Sequence, residues 1–156
     1  MKKAPSGTSA RNKLMDYLAR RDHSELELRQ KLKRFYSVEE IETAINYGKE
    51  QGWIPNDLPG TTALANKTAE ALHRRKKGIL FINSYLRKKG LPEVQSDREL
   101  ELEKAEDLVK NKNLFSATQA KDLKAKRQQL GKIGRFLSSR GFESRTIQQI
   151  IAKGWK

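Results

Sequence analysis

Residues 22–41 read DHSELELRQKLKRFYSVEEI, and two phrases of one kind stand within them: Ser24 with Glu27 three residues on, and Ser37 with Glu40. Each opens an apolar rhythm, Leu28 and Leu32 after the first, Ile41 and Ile45 after the second. A Ser hydroxyl that accepts from the backbone N–H three residues on, answered by a Glu reaching back to the Ser N–H, satisfies two orphaned donors at a helix start. One short stretch therefore announces two helices. Ser96 with Glu99 and Ser116 with Gln119 repeat the arrangement further along, in a chain with almost no strand pattern.

A second repetition lies at the other end of helices. INSYLRKKGL (82–91) and IGRFLSSRGF (133–142) share an Ile, a Leu four residues later, a Gly four later again and then a large apolar residue. That spacing predicts short helices closed by left-handed Gly90 and Gly141, with Leu91 and Phe142 folding back on Leu86 and Leu137. LRQKLKRFY offers Leu28 and Leu32 in matching places without the glycine.

Extending the 3.6-residue pattern outward gives an all-α chain of three tandem three-helix repeats, nine helices in all, elongated and curved, with helix-turn-helix-like units. The parse is a flexible tail over 1–10, a first repeat over 11–54, a joint over 55–61, a second repeat over 62–112, a joint over 113–116 and a third repeat over 117–156. In the third repeat, helices are expected over 117–130, 132–140 and 144–153, with Gly131 to Gly134 as a loosened junction.

The composition suits small linked units. Of 156 residues, 36% are hydrophobic, 33% charged and only 7% aromatic, which leaves little material for one large core. The absence of cysteine excludes disulfides and thiolate metal sites, and no apolar run is long enough to cross a bilayer. Met1 to Ala10 carries no apolar leader, so the expectation is a cytoplasmic protein with no membrane partner. His23 and His73 are the two histidines, neither with a partner at metal-ligand spacing, and no nucleophile has a recognisable setting. The expectation is a protein that is not an enzyme and needs no cofactor.

The formal net charge of +14 predicts attraction to polyanions. Its distribution sharpens the point: residues 116–156 hold 10 basic groups against 2 acidic, while residues 1–57 hold 11 against 9. Lys67, Arg74, Arg75 and Lys77 lie on or just after a helix whose apolar arc is Leu64, Ala65, Thr68 and Leu72. Arg87, Lys88 and Lys89 close the next helix, where favourable interaction with the helix dipole explains them equally well. Lys121, Lys124 and Arg127 form a row at three-residue steps, extended by Lys132, Arg135, Arg140 and Arg145. Only Asp122 and Glu143 are near enough in sequence to neutralise these, so binding outweighs solvation as their explanation. Rows of this kind contact phosphates and read no sequence. Phe136 and Phe142 fit apolar faces, and Trp53 and Trp155 fit caps on small cores better than base stacking.

Two motifs are weaker. Gly131-Lys132-Ile133-Gly134 matches the G-x-x-G clamp of KH domains without the strands such a clamp needs. Leu58-Pro59-Gly60 matches part of a helix-hairpin-helix loop and lacks its second glycine.

RRDHSELELRQKL, followed by the tripled helix pattern with K-G and R-G-F closings, resembles the RecX family of recombinase regulators, from about Leu14 to Lys153. The segment GWIPNDLPGTTALA keeps Gly52, Ile54, Asp57, Leu64 and Ala65 of that family's pattern but inserts residues and replaces its Phe. The resemblance implies a bacterial protein that lodges in the groove of the RecA filament on single-stranded DNA and limits filament growth and activity; sequence-independent duplex contact stays open, and a monomer is expected. A stand-alone helix-turn-helix DNA-binding protein or repressor is the alternative from another class, and an RNA-binding accessory protein is a third.

Overall fold

Helix starts follow the capping chemistry, with instructive shifts. In the computed structural model, which describes residues 7–114 and 122–154, α1 spans Ala10–Arg20, α2 Glu25–Leu32, α3 Val38–Glu50 and α4 Leu58–Arg74. They are followed by α5 Ile79–Lys88, α6 Arg98–Asn111, α7 Leu123–Ser139 and α8 Ser144–Lys153, with no strand among the described residues. Ser37 and Glu40 form the complete reciprocal box at α3. Ser24 accepts from Glu27 N–H at 3.2 Å, but the Glu27 carboxylate turns inward and does not answer. At α6 the cap is Asp97, not Ser96, because a carboxylate one residue closer takes the N–H groups of both Glu99 and Leu100. Ser9 caps α1, a start the sequence reading omits. The phrase at Ser116 and Gln119 lies outside the described residues, as do Lys121 and Trp155.

Leu58-Pro59-Gly60 is the first turn of α4 and not a joint or hairpin loop. Asp57 Oδ1 accepts from Gly60 N–H at 2.7 Å, and Pro59 sits where a helix has no use for its missing N–H.

Gly90 and Gly141 close α5 and α7 with φ of +68° and +84°. Leu91 N–H reaches Leu86 C=O at 3.0 Å and Phe142 N–H reaches Leu137 C=O at 3.2 Å, the six-to-one bond of a Schellman ending. Leu91 and Phe142 are both buried, as the spacing predicts.

The chain divides into two compact units, Met1–Lys67 with Leu86–Pro92, and Thr68–Tyr85 with Glu93–Lys156. In the first, Leu14 of α1, Leu28 and Leu32 of α2, Ile41 and Ile45 of α3, and Ile54 form an apolar core. Each such side chain contributes on the order of 1.5–3 kcal/mol by leaving water.

In the second unit, α6 packs on α8 and α8 on α7, around Ala105, Leu108, Val109, Leu130, Ile133, Leu137, Phe142 and Ile150. Here the expected break fails: α7 runs unbroken through Gly131 and Gly134, so the described residues hold eight helices where nine are expected. A glycine inside a helix costs about 1 kcal/mol relative to alanine. The stripe Leu130, Ile133, Leu137 exceeds that cost by burial, and the bare Gly134 faces Ile147 and Ile151. Leu123 is exposed in the first turn of α7.

Candidate nucleic-acid interface

Continuity of α7 decides the geometry of the basic row. At 100° per residue, Lys124, Arg127, Lys132 and Arg135 fall within one outward arc, opposite the buried Leu130, Ile133 and Leu137. All four side chains are exposed, and none has an ion pair among the described residues. The row spans about 16 Å at the ~1.5 Å rise of an α-helix.

Beside it, Phe136 is half-buried and has two cations over its ring: Arg140 Cζ lies 5.5 Å and Lys112 Nζ 5.7 Å from its centroid. Lys112 is a member the sequence reading missed, since it lies in an acidic stretch. Arg145 is exposed in the first turn of α8, at the helix end where the dipole disfavours a cation, so helix stability does not account for it.

Arg75, Lys77 and Arg140 are brought together by backbone. Gly78 N–H reaches Arg140 C=O and Leu80 N–H reaches Gly141 C=O, each at 2.9 Å. Arg74 and Arg75 are exposed, whereas Lys77 is half-buried with Nζ 4.5 Å from the Phe81 centroid.

This junction stands on a buried polar cluster. Glu101 and Lys104, both nearly inaccessible, are ion-paired. Lys104 Nζ also donates to Lys77 C=O at 2.7 Å and to His73 Nδ1 at 2.8 Å, which uses its three protons. Glu101 Oε2 accepts Ile79 N–H at 3.1 Å and so caps α5. Burial, with the Lys104 charge next in effect, pushes the His73 imidazole below its ordinary pKa. The cluster had a legible signal: Glu101, Ala105 and Leu108 follow the i, i+4, i+7 rule, so a carboxylate occupies a core position.

In the first unit four predicted contacts divide differently. Lys88 is exposed in the last turn of α5, as is Arg87. Lys67 is exposed but pairs with Asp22 at 2.5 Å. Lys89 is turned inward, donating to buried Glu27 Oε1 at 2.8 Å. Glu27 takes Arg21 as well, through Nη1 at 3.1 Å and through Nη2. Burial alone would raise this carboxyl, but the Arg21 and Lys89 hydrogen bonds outweigh it and hold the pKa at about 2. His23 completes the cluster, with Nδ1 2.8 Å from Arg21 C=O and Nε2 2.9 Å from Lys31 Nζ. An ammonium has only protons to offer, so Nε2 accepts, Nδ1–H donates and the ring is neutral.

The family described as RecX, first three-helix domain, matches residues 10–47. Regulatory protein RecX of Neisseria meningitidis serogroup C is 33% identical, over 94% of this chain and 92% of its own length. The chain belongs to the RecX family. Regulatory protein RecX of Leptothrix cholodnii is 31% identical over 92% of this chain and 87% of its own. A crystal structure of regulatory protein RecX shares the fold, with a TM-score of 0.70 over 90% of this chain and 70% of that chain, at 24% identity.

RecX proteins carry the name of regulators, and the role of this chain is regulatory. Within this RecX chain the stretch Ser24 to Arg29 is scaffold: Ser24 caps α2 and also donates through Oγ to Lys89 C=O, and Arg29 binds Glu25 and Glu42. Among the described residues no helix is long and apolar enough to cross a membrane, and no group of His, Cys, Asp and Glu could hold a metal ion.

Proposed function

We propose that this RecX protein binds RecA filaments on single-stranded DNA without reading sequence, and restrains their extension, ATPase and recombination activity. The observation that carries the reading is the outward face of α7, where Lys124, Arg127, Lys132 and Arg135 stand in one row without an ion pair among the described residues. Cations free of intramolecular acids release condensed counterions when they meet phosphates, which makes such a row an electrostatic contact. Arg145, Arg140 and Lys112 extend the positive field. Exposed aromatic platforms are few, so the contact positions the protein and leaves bases unread. The protein acts as a monomer, and the RecX kinship supplies the recombinase as the partner that presents the DNA.

The test is a titration of the DNA-dependent ATPase of a matching RecA. Depression at well under one RecX per RecA protomer is expected. No effect at an equal ratio contradicts the reading, and strong preference for one duplex sequence over bulk DNA would replace it with a repressor.

A further inference from the structure

Within the first unit, a groove of about 490 Å³ opens beside the end of α3 and the start of α4. One wall is Trp53, whose indole stays 42% exposed and is braced edge-on against Tyr47 with ring centroids 5.5 Å apart. The small residues Gly60 and Ala63 leave room opposite, and the charged lining is Asp22, Asp57 and Lys67. The groove thus has two formal negative charges against one positive, in a chain whose net charge is +14. The partial charges of the two helix ends there, negative at α3 and positive at α4, oppose each other and leave the carboxylate excess in place.

Two arrangements of the same chemistry are already present beside it. The Arg11 guanidinium lies 3.4 Å from the Tyr47 ring centroid, on the ring that braces Trp53. Lys67 Nζ holds Asp22 at 2.5 Å with side chains 73% and 58% exposed, an ion pair in water whose exchange for another cation costs little. A phosphate-bearing ligand would meet two carboxylates here, whereas a cation meets them together with an aromatic face.

We infer that the Trp53 groove receives an arginine side chain from a protein partner, which stacks its guanidinium on the indole and takes Asp22 from Lys67. A planar guanidinium suits this better than an ammonium, because it stacks on a ring and bonds a carboxylate through its edge at once. Lys67 is then the resident occupant of a protein-binding groove and not a phosphate contact. This goes beyond the α7 contact, and its test uses neither DNA nor recombinase, so either can fail alone.

The experiment uses the full chain with Trp155→Phe, which leaves Trp53 as its one indole. Indole fluorescence is titrated with a capped Gly-Arg-Gly peptide, with the citrulline peptide of the same shape, and with thymidine monophosphate. Saturable change with the arginine peptide is expected, at least several-fold tighter than with citrulline, and no binding of the nucleotide. Asp22→Asn should weaken the arginine peptide about threefold to tenfold, and Lys67→Met should tighten it. Absence of a saturable change, equal binding of both peptides, preference for the nucleotide, or weakening by Lys67→Met each overturns the inference.

Discussion

Lys89 Nζ donates to Glu27 Oε1 at 2.8 Å, joining residues 62 positions apart. Ser24 Oγ donates to the Lys89 carbonyl beside it, so ammonium and backbone of one residue are both held by α2. The end of α5 is thereby fastened to α2, within the stretch that the RecX first three-helix domain matches. Breaking a buried ion pair from one side strands the other charge, at a cost of about 3–5 kcal/mol. Glu27→Leu should lower urea stability by less than that, about 1–3 kcal/mol, because the Arg21 and Lys89 cations it leaves are partly in water. Lys89→Met should cost less, since Arg21 still faces Glu27, and should leave the salt slope of DNA binding unchanged.

Acid should weaken the fold in two steps. Burial is the largest cause holding both His23 and His73 below the ordinary 6.5. A depressed folded pKa means the unfolded chain binds more protons, so this stability is present above about pH 6.5 and lost as pH falls below it. Glu27, held at about 2 against an ordinary 4.5, contributes above 4.5 and loses its contribution as pH falls toward 2. Urea midpoints measured from pH 8 to 3 should stay level, fall below 6.5 and fall again below 4.5. His23→Gln with His73→Gln should flatten the upper step alone.

Lys104 is the hub of the second unit, tying His73, Lys77 and Glu101. Lys104→Met is expected to cost about 3–5 kcal/mol in denaturant unfolding, because Glu101 is left charged and buried. Glu101→Gln with Lys104→Met should cost less than Lys104→Met alone, since no charge is stranded.

Two glycines should respond oppositely to alanine. At Gly141 the backbone is left-handed and an added Cβ would lie 2.4 Å from Phe81 Cβ, so Gly141→Ala should destabilise by more than ~2 kcal/mol. At Gly131 the added atom meets only Arg135 Nη1 at 3.5 Å, and Gly131→Ala should stabilise by about 0.5–1 kcal/mol. Loss of stability at Gly131 would contradict an unbroken α7.

The helices and their Gly90 and Gly141 endings were legible because capping and left-handed closure are local chemistry. The continuity of α7 was not, because glycine reads as a breaker until the Leu130, Ile133, Leu137 stripe finds its core. The outward row Lys124, Arg127, Lys132, Arg135 was visible as charge without acidic neighbours in sequence. Lys89 looked the same and proved internal, since its partner Glu27 is remote in sequence. Asp22 as partner of Lys67 was hidden by its distance in sequence, whereas Glu101 as partner of Lys104 was legible in its place at a core position of α6, where carboxylates seldom go.

The central claim is that α7 meets phosphates. It is tested most directly by the salt dependence of single-stranded DNA affinity in the wild type and in the Lys124→Ala, Arg127→Ala, Lys132→Ala, Arg135→Ala combination. Each phosphate contact contributes about 0.7 to the slope of log affinity against log salt. A slope shallower by about 3 is expected, with unfolding stability unchanged; a slope equal to the wild type's would rule out the α7 contact.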